Sequence, residues 1–103
     1  MGRALLQAHP DVDAIFCSSD LLALGVLTQC QAMAIPVPDR LALIGFGDLD
    51  FARHLHPALT SVRIDGSRIG REAARCIIDR AQGRAVADKV VDIGFAIVER
   101  STV

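Results

Sequence analysis

Two short stretches, DAIFC at residues 13–17 and LALIGF at residues 41–46, are apolar almost throughout. Each runs straight into a polar or glycine-containing stretch: Ser18-Ser19-Asp20 after the first, Gly47-Asp48 after the second. A strand with one face in water alternates apolar and polar residues, whereas a continuously apolar strand needs cover on both faces. Between the two lies DLLALGVLTQCQAMA, residues 20–34, which reads as a helix. Ser18 or Ser19 supplies its N-cap oxygen, and Pro36 and Pro38 end it. Strand, helix, strand in this order joins two parallel strands through a crossover, so the fold class is α/β with a parallel sheet and flanking helices.

The remaining segments extend the pattern. Residues 2–8 read as the last turns of a helix that stops before Pro10, DFARHL (50–55) as a short helix and LTSVRI (59–64) as a third strand. A second long helix starts from a cap at Asp65 or Ser67, runs to Ala81 and is closed by Gly83. Its residues Ile69, Ala73, Ile77 and Ala81 recur every four positions on one face. KVVDIGFAIVER (89–100) reads as a closing strand, with Val91, Ile93, Phe95 and Ile97 on one side and Asp92 and Gly94 on the other. DAIFC and LALIGF are the expected central strands. The chain opens inside a helix with no strand before it, and reads as a piece of something larger.

Composition narrows the function classes. At 103 residues the chain suffices for one small domain at most. Hydrophobic residues make up 51% and aromatics only 4%, so the core is aliphatic. A net charge of −1 with no basic run gives these residues no electrostatic source of nucleic-acid affinity. Cys17, Cys30 and Cys76, an odd number in apolar surroundings, read as reduced core or interface thiols of a cytosolic protein. No apolar run reaches membrane-spanning length, and MGRALLQAHP lacks the apolar centre of a signal peptide. His9, His54 and His56 have no Cys or acidic neighbour at metal-ligand spacing, so no metal is expected. No serine sits in a nucleophile elbow and no glycine pattern matches a phosphate loop. No enzyme and no cofactor are therefore expected. Arg63, Arg68 and Arg71 lie near the start of a helix, where they suit either an anion or a solvated face.

The two polar stretches fall where open α/β sheets bind ligands, outside the carboxyl ends of the strands. Caps and turns alone account for each serine, aspartate and glycine taken singly. Taken together, Ser19, Asp20, Phe46, Gly47 and Asp48 make a candidate pocket lip. The helix from Asp20 poses a second problem. Leu21, Leu22, Leu24, Val26 and Leu27 cover nearly its whole circumference, so one side packs on the sheet and the other needs a cover. A second copy of the chain supplies it, or a helix outside these residues. Gly25 within that helix costs about 1 kcal/mol relative to alanine and implies close backbone packing.

In sequence order, DAIFCSSDLLALGVL, IPVPDRLALIGFGDLDFARHLHPALTSVR, IGREAARCIIDRAQG and IVERST resemble the effector-binding domain of the LacI/GalR family of bacterial transcriptional regulators. The resemblance implies an incomplete periplasmic-binding-protein-like (type I) fold, with residues 1–103 as the C-terminal part of the effector-binding domain. Residues 1–48 would lie in one lobe, and residues 59–85 would cross back to the other. It also implies a cytoplasmic homodimer that binds a sugar or sugar-acid effector and has no membrane partner. The DNA-binding helix-turn-helix is absent from these residues, so operator DNA is contacted only through a missing N-terminal domain. On the family pattern the effector meets Ser19, Asp20, Phe46, Gly47 and Asp48, and the dimer forms through Leu24, Leu27, His54 and Leu55. Many members carry Asn-Asp where this chain has Ser19-Asp20, and an effector-contacting Asp where it has Gly47. Two unit charges 4 Å apart repel by about 4 kcal/mol at an effective dielectric of 20, so losing that acid suits an anionic effector. The form GFGDLDF is similar to the gluconate-repressor branch. A transport binding protein of the same fold is the alternative, and it would need a signal peptide.

Overall fold

The computed structural model describes residues 2–85 and 90–103. Two compact units are present, one formed by Met1–Arg63 with Ala96–Val103, the other by Ile64–Phe95.

The first unit is built on helix α1 (Gly2–Ala8), strand β1 (Ala14–Phe16), helix α2 (Asp20–Ala32), strand β2 (Ala42–Phe46), the 3-10 turn η1 (Asp50–His54) and strand β3 (Thr60–Arg63). Strand β4 (Ala96–Val98) completes its sheet. The strand order is β1-β2-β3-β4. The first three strands run parallel, with Ile15 opposite Leu43 and Gly45 opposite Ser61. β4 is antiparallel to β3, with Val62 opposite Ile97, so the sheet is mixed and mostly parallel.

Three expectations need correction here. β1 is an edge strand of this sheet, not a central one, and Phe16 on it is exposed. β3 pairs with β2, so residues 60–63 stay in the first unit and the chain leaves it only at Ile64. The closing strand is short. Asp92 Oδ1 accepts a hydrogen bond from Gly94 N at 2.7 Å, and Gly94 adopts φ +73°. That turn breaks the extended run, and among the described residues of the run Ala96–Val98 alone pair. The alternating stretch also begins at Lys89, which lies outside the described residues.

α2 forms where the sequence places it, because Ser19 provides the cap: extended at φ −153°, its side chain accepts from Leu22 N at 3.2 Å. The helix ends earlier than its prolines require. Ala34 takes a left-handed φ of +56°, and Ile35 N bonds back to Cys30 O at 2.8 Å. This is a Schellman-type stop with alanine at the position glycine usually fills. Ala23, Val26, Leu27 and Cys30 form the buried face of α2, which packs on β2 while α1 packs on α2. Leu41, Leu43 and Leu59 are fully buried with them. Each such leucine contributes about 1.5–3 kcal/mol by leaving water. Cys17 and Cys30 are buried free thiols, and burial pushes both pKa values up, so they stay protonated at neutral pH.

In the second unit, helix α3 (Gly66–Ala81) starts at Asp65, whose side chain accepts from Arg68 N at 3.0 Å. Arg84 pairs with Asp79 at 2.8 Å near its end. No residue of α3 is buried, and Ile69, Ile77 and Ile78 are exposed. Among the described residues, no helix is long and apolar enough to cross a membrane.

Candidate functional site

The parallel strands bring Ser18-Ser19, Gly47-Asp48 and Arg63 to one edge of the sheet, the carboxyl ends of β1, β2 and β3. The loop after β2 turns through two consecutive left-handed residues, Gly47 at φ +116° and Asp48 at φ +50°. Only glycine adopts the first of these without strain. The lack of a side chain at Gly47 therefore has a conformational cause.

A network beneath the loop holds that shape. Asp48 N donates to Ser61 Oγ at 3.0 Å, and the Ser61 hydroxyl donates to Asp20 Oδ1 at 2.7 Å. The second oxygen, Asp20 Oδ2, accepts from Leu49 N at 2.7 Å. Gly47 N donates to Val62 O at 2.8 Å. Three successive loop amides are thus tied down, and Asp20 is 0% exposed. Gly45 makes room for it, since a β-carbon there would collide with Asp20 Oδ1.

Asp48 has its own partners. Arg100 Nη2 donates to Oδ1 at 2.7 Å, and Arg63 Nε and Nη2 both meet Oδ2 at 2.8 Å. Burial alone would raise the Asp48 pKa, but the hydrogen bonds and charges of Arg100 and Arg63 outweigh it and hold the carboxyl below its ordinary value. The two arginines differ in setting. Arg100 has a 13% exposed side chain and also donates from Nη1 to Leu59 O at 2.7 Å. The Arg63 side chain is 56% exposed, and an ion pair open to water to that degree contributes about 0–1 kcal/mol.

Residues 100–102 complete the frame. Arg100 N donates to Thr60 Oγ1 at 2.9 Å. Thr102 is fully buried; its hydroxyl donates to Leu43 O at 2.6 Å and accepts from Thr60 N at 2.9 Å. Leu43 N closes the pair by donating to Thr102 O at 2.8 Å.

All five expected effector residues therefore gather at one sheet edge, but they do different things there. Ser19, Phe46 and Gly47 are partly exposed. Asp20 and Asp48 turn their oxygens inward, where the chain's own donors engage them, so as placed they brace the lip and offer it no open carboxylate. Ser61, Arg100, Thr102 and Gly45 were not singled out from the sequence. The only trace of two of them is the ending IVERST, which carries Arg100 and Thr102.

The residues expected at a dimer interface also separate. Leu27 is 2% exposed and belongs to the core, which leaves it no surface for a partner. Leu24 and Leu55 are half-buried, and His54 is exposed. The open face of α2 carries Leu21, 65% exposed, and Leu22, and Met33 at the C-cap is exposed too. Gly25 lies on the surface with nothing near its missing β-carbon, so the close packing expected there does not occur among the described residues. Among the described residues, no group of three or more His, Cys, Asp or Glu is placed to hold a metal ion.

The geometry can be set beside known proteins. A family model for the periplasmic binding protein-like domain matches residues 1–103. The HTH-type transcriptional regulator GntR of Escherichia coli (strain K12) is 34% identical over 95 residues, covering 92% of this chain and 29% of that protein. The HTH-type transcriptional regulator CelR of Thermobifida fusca is 42% identical over 81 residues, covering 79% of this chain and 24% of that protein. Among solved structures, a transcriptional regulator CelR–cellobiose complex superimposes with a TM-score of 0.90 at 35% identity, covering 98% of this chain and 31% of the other. The transcription regulator GntR from Chromobacterium violaceum gives 0.85 at 38% identity, covering 99% of this chain and 38% of the other. The chain spans less than a third of the length of the curated relatives it matches. Both of these solved relatives are transcription regulators. It belongs to the periplasmic binding protein-like domain family, in the form that makes up the effector-binding domain of LacI/GalR-type transcriptional regulators.

Proposed function

We propose that these residues are the effector-sensing and dimerisation portion of a cytoplasmic LacI-type bacterial transcriptional regulator that responds to gluconate or a related sugar acid. The observation that carries the anionic reading is the direction in which the charges at the lip face. The carboxylates of Asp20 and Asp48 point inward, 0% and 5% exposed, while the Arg63 guanidinium stands in water. Gly47 adds no acid between them. A carboxylate arriving at this edge meets positive charge first, and hydroxyls find Ser19 and the Phe46 face nearby. The similarity of GFGDLDF to the gluconate-repressor branch supports the same choice. Residues 1–103 serve in this reading as the C-terminal part of the effector-binding domain. Operator DNA is contacted by a separate N-terminal helix-turn-helix. A homodimer forms over the open face of α2, with Leu24, His54 and Leu55 at its margin.

A neutral sugar is the second reading. It is favoured by the TM-score of 0.90 to the CelR–cellobiose complex. Calorimetric titration of the full-length regulator with gluconate, glucose and cellobiose separates the two. Gluconate is expected to bind most tightly. Equal affinity for gluconate and glucose, or a preference for either neutral sugar, overturns the sugar-acid reading.

A further inference from the structure

We propose that Arg63 is the residue by which this site tells an anionic effector from a neutral one, taking the effector's carboxylate on the outer edge of its guanidinium. The proposal rests on the sugar-acid reading above and assigns its specificity to one side chain.

The alternatives at the lip are closed by the hydrogen-bond network. A glycine-containing loop at a strand end commonly holds an anion on its backbone amides. Here the amides of Gly47, Asp48 and Leu49 already donate to Val62 O, Ser61 Oγ and Asp20 Oδ2. The loop therefore has no amide nest to offer. Arg100 is held inward by Leu59 O and Asp48 Oδ1. Arg63 ends β3 at the same sheet edge as Gly47. Its Nε and Nη2 both address a single oxygen, Asp48 Oδ2. Its Nη1 makes no hydrogen bond among the described residues. The Nη1–Nη2 edge, the second fork of a guanidinium, is thus left for a planar anion.

Asp48 serves two arginines at once. It orients Arg63 by one oxygen, while Arg100 on the other oxygen balances its charge. Arg63 is positioned by a carboxylate without being neutralised by it. The buried acid Asp20 lies at the first turn of α2, where the helix N-terminus favours negative charge.

The test uses the full-length regulator as wild type, Arg63→Gln and Arg63→Lys, titrated calorimetrically with gluconate and with glucose. A thermal melt checks that each variant is folded. Arg63→Gln is expected to lose about tenfold or more in gluconate affinity, the scale of one charged hydrogen bond, with glucose affinity unchanged. Arg63→Lys keeps the charge without the fork and is expected to fall between. A folded Arg63→Gln protein that keeps the gluconate preference of the wild type overturns the assignment while leaving the functional reading intact. So does an equal loss for both sugars, or a lysine variant no better than the glutamine one. A wild type with no gluconate preference overturns the functional reading, and this assignment with it.

Discussion

Gly45 shows how much one absent methyl group can decide. It is buried in β2, opposite Ser61, and the volume its side chain would fill is taken by Asp20 Oδ1, with Leu59 Cδ2 at 3.1 Å. Asp20 has no other place to go, because its oxygens hold Ser61 and Leu49. Gly45→Ala is therefore expected to destabilise the protein by about 1–3 kcal/mol through overpacking, and to release the lip as well. Chemical denaturation of the full-length protein reads the first effect and effector titration the second. A variant of wild-type stability would show that Asp20 is not wedged in place. The contrast with Gly47 is useful. There a β-carbon meets nothing closer than Leu49 Cδ2 at 3.9 Å, and the constraint is φ alone. A charge effect at Gly47 is accordingly read from the difference between Gly47→Asp and Gly47→Asn, which carry the same backbone strain. The serines and aspartates next to apolar runs were visible in the sequence because they interrupt a pattern. Ser61 and Arg100 were not, since a polar residue inside a strand or near its end interrupts nothing. Their importance comes from partners 41 and 52 positions away.

At the scale of elements, the sequence located α2, β2 and β3 to within a residue or two, because a serine cap marks the start of α2 and β2 is a continuous apolar run. The sheet order was not legible, since an apolar run states that a strand is covered and not by what. The exposed Leu21 and Leu22 on α2, with Met33 at its C-cap, raise the same question in three dimensions. If a second copy covers them, Leu21→Glu in the full-length protein is expected to weaken the dimer by about 2 kcal/mol or more, the size of an interface anchor. Leu27→Ala makes the matching control: it removes core volume and is expected to lower folding stability by about 2–5 kcal/mol, without acting at the interface itself. Sedimentation across a concentration series distinguishes them. A Leu21→Glu dimer as tight as the wild type would remove α2 from the interface.

For the molecule as a whole, the described surface is rich in uncovered apolar groups. Phe16 on the edge strand, Ile77 on α3, and Phe95 and Ile97 around β4 are all exposed. Open strand edges and apolar patches of this kind recruit other chains. The 103-residue chain studied alone is expected to associate, and with a net charge of −1 it is expected to show no affinity for operator DNA. Sedimentation and a gel-shift titration check the two statements. A concentration-independent monomer with a sharp melt would show that these residues form a self-sufficient domain.

The bonds from Thr102 to Leu43 and from Arg100 to Asp48 have a consequence in time. They join residues 59 and 52 positions apart. At about 5–20 residues per second, a ribosome needs about 3–12 s to travel from the first partner of such a pair to the second. Throughout that interval β2 has emerged, yet the Thr102 bridge from its start to β3 is missing and Arg63 alone balances the acid after its end. On the effector-sensing reading proposed above, a nascent chain is expected to bind its effector only after this late segment has arrived.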